Sequence, residues 1–159
     1  MTIYHISQFN VARIRASLTH PRMKGFVDAL KPINALADAS PGFVWRLQTE
    51  AGDSTTIRPY PDERLLITLS VWETIEALFD FTYRFAHAQV MRERREWFEE
   101  IETPYLVLWW TPAGHLPTVE EGKERLELLR CQGPTRDAFT FKHRFPMPGA
   151  AGCERGQSR

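Results

Sequence analysis

The sequence predicts an α+β domain of the ferredoxin-like type, with the element order β-α-β-β-α-β and an extra C-terminal helix. Three observations predict it. Short runs alternate apolar and polar residues or are rich in β-branched residues, longer stretches repeat apolar residues at helical spacing, and Pro/Gly turns separate them. The strand-like runs Phe43–Thr49 and Arg64–Trp72 follow each other without a helix between them. This order is typical of an antiparallel sheet with helices on one face.

The first half of the chain supplies a strand and a helix. Ile3–Phe9 alternates and is rich in β-forming residues, so it is the predicted first strand. A helix is predicted to begin at His20-Pro21, because proline suits the first helical turn. Pro32 either kinks this helix or begins a second short helix that ends at Ala39. The predicted buried face consists of Met23, Phe26, Val27 and Leu30.

The second half adds helices around a fourth strand. Glu73–Ile101 contains no proline or glycine, so it is predicted as one long helix or two helices in series. Tyr105–Trp110 is the predicted fourth strand. Thr118 and Glu121 form a capping box for a last helix, which is predicted to end at Gly133.

Length, charge and cysteine content indicate one cytoplasmic domain. The domain is predicted over residues 1–145, and Pro146–Arg159 lacks periodicity and is predicted as a disordered tail. Acidic and basic residues balance at 20 each, which argues against general binding to nucleic acid or to anionic membranes. Cys131 and Cys153 lack a metal or disulfide motif, and no signal peptide or transmembrane run is found.

The predicted strands carry apolar residues on both faces. Alternation puts Phe43, Trp45 and Leu47 on one side of the second strand, and it puts Trp109 and Trp110 on opposite sides of the fourth. Helices on one side leave the other face of the sheet to be covered. A homodimer with facing sheets, which is a dimeric α+β barrel, is therefore predicted.

Five segments carry a resemblance to a known family: FNVAR, LKPINALADASPGFVWRLQ, LSVWE, AHAQVMRERREWF and LWWTPAGHLPT. In these segments the chain resembles a bacterial family of dimeric α+β-barrel proteins that is known as a domain of unknown function. The resemblance covers about Ile3 to Phe141. Its wider superfamily is similar to antibiotic-biosynthesis monooxygenases, which hold aromatic polyketides between sheet and helices, and it includes haem-degrading monooxygenases and haem-binding dehydratases.

His87 is the leading candidate for a functional residue. It follows a stretch rich in aromatic residues, and histidine titrates near neutral pH and also ligates metals. It is interpreted as a catalytic base or proton relay, or alternatively as a structural histidine bonded to a backbone carbonyl. The resemblance also implies a haem-ligand alternative, because haem-degrading relatives carry a histidine after a VW-type strand end such as Val71-Trp72. The tryptophan those relatives carry ten residues before the ligand is Ala77 here.

Further candidates lie near His87 in the sequence or on the predicted strands. Arg84 and Asn10 are predicted to polarise the substrate, since a guanidinium and an amide can donate hydrogen bonds to its oxygens. The alternative for Arg84 is an arginine exposed at the surface. The alternative for the indoles is packing in the core or at an interface. The predicted substrate-binding residues are Tyr4, Gln8, Trp45, Tyr83, Met91 and Trp109.

Several common chemistries have no motif in this sequence. There is no GxGxxG after a strand, no GxxxxGK[ST], no HExxH, no CxxC and no GxSxG. The resemblance, together with the aromatic residues around His87, implies a small-molecule enzyme that acts on an apolar or aromatic metabolite, of the monooxygenase type and without a favoured cofactor, or a related cyclase or isomerase. A haem protein with His87 as ligand and a non-catalytic ligand-binding dimer are the alternatives.

Overall fold

The computed structural model describes residues 2–84 and 87–150, except for the side chains of 87–91. A 3-10 turn at Pro21–Met23 precedes the first α-helix. The strands and helices are β1 (Tyr4–Ile14), α1 (Lys24–Ala39), β2 (Phe43–Arg46), β3 (Leu65–Trp72), α2 (Ile75–Tyr83), α3 (His87–Trp97), β4 (Phe98–Glu99), β5 (Leu106–Pro112) and α4 (Val119–Gln132).

The sheet has the strand order β5-β1-β3-β2, and all of its pairs are antiparallel. Short β4 pairs with the last residues of β1, at Arg13 and Ile14. The α+β ferredoxin-like prediction is thereby confirmed. Strand β1 lies at the centre of the sheet, where Gln8 is paired with Ser70 on one side and Leu108 on the other.

Strand lengths differ from the sequence expectation. Strand β1 continues past Phe9 to Ile14, because it is paired with β3 as far as Arg13 and with β4 at Arg13 and Ile14. Strand β2 ends at Arg46 rather than Thr49, and it pairs with β3 alone. An edge strand bonds to a neighbour on one side only, so fewer backbone hydrogen bonds are available to lengthen it.

A register shift in β2 corrects the predicted faces of its aromatic residues. Phe43 lies opposite Trp72 whereas Trp45 lies opposite Val71, and the pairing is irregular between them. Phe43 packs edge-on against Trp72, at 5.4 Å between ring centroids. Trp45 and Leu47 pack in the cluster on the other face of the sheet. The prediction that all three share one side was wrong, because a bulge breaks the two-residue alternation.

The helices settle two open alternatives. Pro32 lies inside one continuous helix, α1, since its missing N–H removes a single backbone bond without ending the helix. The stretch after β3 forms two helices, α2 and α3, followed by β4. Val27 is exposed, so its assignment to the buried face was wrong, and Met23 is fully buried.

The last helix begins and ends where its capping residues predict. The Thr118 hydroxyl accepts a hydrogen bond from the Glu121 backbone N–H at 3.1 Å. Gly133 follows the helix with a φ of 71°, a conformation that favours glycine.

The two faces of the sheet are covered by different helices. Helices α1, α2 and α3 cover the face that carries Ile6, Gln8 and Ile14. Helix α4 covers the opposite face, where Leu126 and Leu129 pack against Phe9. A cover for the second face is therefore present within the chain. The homodimer itself stays a prediction. The sequence suggested it because one face of the sheet was expected to lack a cover, and this reason does not hold where α4 covers that face.

Within residues 2–84 and 87–150, no helix combines the length and the apolar character needed to cross a membrane. The predicted tail begins inside the described part, at Pro146, and continues outside it from residue 151. The domain limits and the disorder of the tail stay predictions.

Candidate functional site

Four polar side chains stand together in the middle of an otherwise apolar sheet face. Gln8 is paired with Ser70 and Asn10 with Thr68, on the antiparallel neighbours β1 and β3. Side chains opposite each other in such a pair lie on the same face. We call these four residues, Gln8, Asn10, Thr68 and Ser70, the polar floor.

The hydrogen bonds of the polar floor leave part of it unused. The Gln8 amide nitrogen donates to the Ser70 hydroxyl at 2.8 Å and to the Thr68 hydroxyl at 3.4 Å. The Trp72 indole nitrogen also donates to the Ser70 hydroxyl, at 3.0 Å. Among the described residues, neither the Gln8 amide oxygen nor the Asn10 amide group has a hydrogen-bond partner.

Apolar clusters lie at both ends of the polar floor. At one end the Trp72 ring stacks on Phe81, with 5.1 Å between centroids, beside Ile6 and Leu108. The other end is formed by residues around buried Trp97. Thr68 is exposed, whereas Ser70 is buried, so solvent reaches the floor at Thr68. Apolar walls with a few unpaired polar groups are typical of small-molecule sites.

The side chains of His87 and Met91 lie outside the described residues, although both positions belong to α3. On the same helix, Trp97 is buried and the Arg94 guanidinium lies 5.2 Å from the Tyr105 ring centroid. Position 87 precedes Arg94 by about two helical turns. The roles predicted for His87 and Met91 stay predictions.

Arg84 does not reach the polar floor. Its side chain is 71% exposed and lies 3.3 Å from the Asp80 carboxylate. It also lies over the Phe79 ring, at 5.9 Å from the centroid. Arg84 therefore offers no group to a substrate at the polar floor, because it follows the last turn of α2 and pairs with a residue of its own helix.

Tyr83 likewise packs away from the floor. Its ring contacts Phe79 and Phe141, at centroid distances of 4.8 and 5.7 Å. Burial raises the pKa of the Tyr83 phenol above its usual value, and nearby Tyr105 raises it further. The ring is part of an aromatic contact between α2 and the segment after α4.

The two predicted tryptophans of the site lie on the opposite face of the sheet from Gln8 and Asn10. Trp45 packs in the cluster beneath α4, and Trp109 is fully buried in it. Tyr4 lies on the same face of β1 as Gln8, four residues before it, and is half-buried at the end of the strand. The structure therefore brings together Gln8 and Asn10 but separates them from Trp45 and Trp109.

The sequence analysis missed Thr68 and Ser70. Their signal is visible in LLITLSVW, where the two hydroxyl residues alternate with buried apolar residues. Two polar residues on one face of a buried strand indicate a polar group that faces them.

A cleft of about 490 Å³ lies at one end of the α4 side of the sheet. Burial raises the pKa of its Tyr60 phenol, an effect that Arg130 opposes and Glu127 and Glu120 strengthen. The pKa of Asp62, beside the cleft, is lowered by a hydrogen bond from the Arg64 backbone N–H and by the Arg13 charge. The cleft is lined by Val11, Arg13, Tyr60, Leu65, Glu100, Ile101, Glu102, Thr103 and Arg130.

Metal-ligating residues do not gather in the described part of the chain, where no group of three His, Cys, Asp or Glu side chains could hold an ion. Cys131 is exposed there as a free thiol, and its bond to the Glu127 carboxylate raises its pKa. A higher pKa leaves less of the nucleophilic thiolate near neutral pH.

Comparison with protein families gives a match over most of the chain. The sequence profile of DUF3291, a domain of unknown function, matches residues 5–155. The chain belongs to this family. The match confirms the resemblance to a domain of unknown function, and it reaches into the segment predicted as a tail. No curated protein matches the chain.

Two solved structures from Nitrosomonas europaea are similar in fold to this DUF3291 member. A protein of unknown function is 11% identical, with a TM-score of 0.46, and the alignment covers 73% of this chain and 97% of the other. A proposed antibiotic biosynthesis monooxygenase is 14% identical, with a TM-score of 0.43, and the alignment covers 73% of this chain and 93% of the other. Likeness at this level does not bear on activity.

Proposed function

We propose that this protein is a small-molecule enzyme of the monooxygenase type, acting on an apolar or aromatic metabolite at the polar floor. One observation carries the proposal. The Gln8 amide oxygen and the Asn10 amide group have no partners among the described residues, although they lie between apolar clusters. Both groups keep access to solvent, so a ligand that displaces water can bond to them.

The floor provides both kinds of hydrogen-bonding group. The Asn10 amide can donate to a carbonyl oxygen of the substrate, and the Gln8 amide oxygen can accept from a hydroxyl. The Gln8 amide nitrogen is held by Ser70 and Thr68, which fixes the direction of its oxygen. Aromatic surfaces such as Trp72 and Phe81 are suited to contact the rings of the substrate.

His87 is the proposed base. Helical spacing puts position 87 on the same face of α3 as Arg94, two turns away and close to the face of buried Trp97. A neutral imidazole would remove a proton from a CH₂ group of the substrate that is conjugated with a carbonyl group, directly or through an aromatic ring. The resulting carbanion would react with oxygen, so that a CH₂ group and O₂ give a ketone and water. No cofactor is needed for this balance.

Oxygen uptake with anthrone tests the proposal. Anthrone is an aromatic ketone whose CH₂ group is acidic enough to form a stabilised carbanion. We expect the protein to consume one molecule of O₂ for each molecule of anthrone. His87→Gln should lower the rate of oxygen uptake by about two to four orders of magnitude. Gln keeps a hydrogen bond but does not cycle a proton near neutral pH.

The control is Arg84→Gln, because Arg84 is exposed and paired with Asp80. This variant should keep the full rate. Equal rates for wild type and His87→Gln would overturn the role of His87. Conversion of the probe without oxygen uptake would replace the monooxygenase with an isomerase or cyclase, and a Soret band lost in His87→Gln would replace it with the haem alternative.

We also propose that the protein is a homodimer. Among the described residues, strand β2 pairs with β3 alone, and Val44 on this edge strand is exposed. An edge strand is suited to pair with a second copy. Light scattering should give twice the chain mass of 18.5 kDa, and a single-chain mass at micromolar concentration would contradict the dimer.

A further inference from the structure

We propose that the cleft on the α4 side binds a small monocarboxylate with an apolar body. The site is separate from the polar floor, because Arg13 and Val11 point to the opposite face of β1 from Gln8 and Asn10. The remaining walls come from the loop before β3, the loop before β5 and the last turn of α4. A cleft of about 490 Å³ has the size of a small-molecule site.

Two guanidinium groups in the cleft have donors to spare. The Arg13 Nε is buried and lies 3.3 Å from the Asp62 carboxylate, but without the geometry of a hydrogen bond. The Arg130 Nε donates to the Pro104 carbonyl at 2.8 Å. Among the described residues, the terminal nitrogens of both arginines have no hydrogen-bond partner. A guanidinium with free terminal nitrogens matches the two oxygens of a carboxylate.

The walls between the arginines are suited to an apolar body. Val11 is buried, and half-buried Leu65 and the Tyr60 ring complete this wall. The Tyr60 ring is held in place from outside by Lys123, whose Nζ lies 4.9 Å from the ring centroid and donates to the Pro59 carbonyl. The Tyr60 hydroxyl has no hydrogen-bond partner among the described residues, so it can donate to the same carboxylate.

The charges around the cleft select for a single negative charge. Arg13 and Arg130 attract an anion, whereas exposed Glu100 and Glu102 line the opening. Asp62 already offsets part of the Arg13 charge. A phosphate monoester carries nearly two negative charges at neutral pH and would be repelled by the two glutamates more strongly than a carboxylate.

Calorimetric titration with three probes of the same ring type tests this assignment. The probes are 3-phenylpropionate, the uncharged 3-phenylpropan-1-ol and the dianion phenyl phosphate. We expect 3-phenylpropionate to bind one molecule per chain with a Kd below about 1 mM, and to bind more weakly at high salt because the attraction is electrostatic. The alcohol and the phosphate should bind at least about tenfold more weakly.

Two variants locate the binding. Arg130→Gln removes a carboxylate donor and should weaken 3-phenylpropionate binding by about tenfold or more. Thr103→Trp fills the cleft from its exposed rim, so it should abolish binding even if Arg130→Gln proves unstable. Arg136→Gln is the matched control, since it removes the same charge from an exposed position outside the cleft.

Three results would overturn the proposal. The first is the absence of binding at millimolar 3-phenylpropionate. The second is equal affinity for the acid and the alcohol, which would make the carboxylate irrelevant. The third is binding at another place, which would show as binding that persists in Thr103→Trp, or as an equal loss of affinity in Arg136→Gln and Arg130→Gln. None of these results bears on oxygen uptake at the polar floor, so the two proposals fail separately.

Discussion

Gln8 and Phe9 are neighbours on β1, yet they face two surfaces of different character. Phe9 is fully buried beneath α4, where a Cβ built on Gly122 would lie 2.6 Å from the Phe9 ring. Gln8 faces the side of α1, α2 and α3, among polar groups that solvent reaches at Thr68. Around Phe9 the α4 face is packed to contact, with the unpaired indole nitrogen of Trp109 buried beneath it, whereas the other face carries the polar floor, which keeps access to solvent. We infer that the packing between Phe9 and α4 holds the fold and that the polar floor on the other face is shaped for the substrate.

The largest expected effect is on the packed face. Phe9→Ala removes an aromatic ring from between the sheet and α4 and leaves a cavity there. It should lower the free energy of unfolding by about 3–5 kcal/mol, measured by urea denaturation. Asn10→Ala, the next residue, is the control and should cost less than about 1 kcal/mol. Equal losses in the two variants would contradict the difference between the faces.

Gly122→Ala sharpens the same comparison on the helix side of the contact. The added methyl group would meet the Phe9 ring at 2.6 Å, so either α4 or the ring must move. Overpacking of this kind costs about 1–3 kcal/mol. Alanine also gains up to about 1 kcal/mol of helix propensity, so the net loss should be smaller than for Phe9→Ala. A more stable variant would show that α4 is not packed directly on Phe9.

Gln8→Leu is expected to separate stability from function. The Ser70 hydroxyl keeps its bond from the Trp72 indole, and exposed Thr68 can bind water. Unfolding free energy should therefore change by less than about 1 kcal/mol. Oxygen uptake with anthrone should fall by about tenfold, because a substrate hydrogen bond is lost. A loss of several kcal/mol with unchanged activity would make Gln8 a structural residue.

The smallest expected effect concerns alkaline pH. The phenols of Tyr60 and Tyr83 have pKa values raised above 10.0 in the folded protein, chiefly because they are partly buried. Their contribution to stability is complete below pH 10 and is lost as the pH rises through their folded pKa, since the unfolded chain ionises first. Tyr60→Phe and Tyr83→Phe should each reduce the fall in Tm between pH 9 and 11. An unchanged fall in both variants would contradict the burial of these phenols.

The strand order was predictable because it follows from the order of elements. The second and third predicted strands have no helix between them, and helical segments lie before and after this pair. Few antiparallel strand orders fit such a sequence of elements. The Thr118 cap and Gly133 were predictable for a similar reason, since both act through backbone groups of adjacent residues. Local signals decide local structure.

The face of the sheet on which a side chain lies was less predictable. A bulge in β2 moves Phe43 and Trp45 to opposite faces, and nothing in FVWRLQT marks it. The position of α4 also depends on its packing against Phe9, which is distant in sequence. The sequence therefore suggested that one face of the sheet is uncovered, whereas α4 of the same chain covers it.

The candidate site was predicted in part. Gln8 was found by its polarity on the predicted first strand and Asn10 by its amide just after that strand, and the two do share a face. Arg84 was placed beside His87 because the two are three residues apart, but its charge is neutralised by Asp80 on α2. Sequence spacing gives helical neighbours only while the helix continues, and α2 ends at Tyr83.

The most direct test of the account is the NMR response of two side-chain amides to anthrone. The NH₂ resonances of Gln8 and Asn10 can be assigned by their loss in Gln8→Leu and Asn10→Ala. We predict that anthrone added under nitrogen shifts these two resonances, together with the indole N–H of Trp72, and leaves the indole N–H of Trp109 beneath α4 unchanged. Shifts confined to Trp109 and its neighbours, or no shift of either amide at saturating anthrone, would contradict the assignment of the ligand to the polar floor.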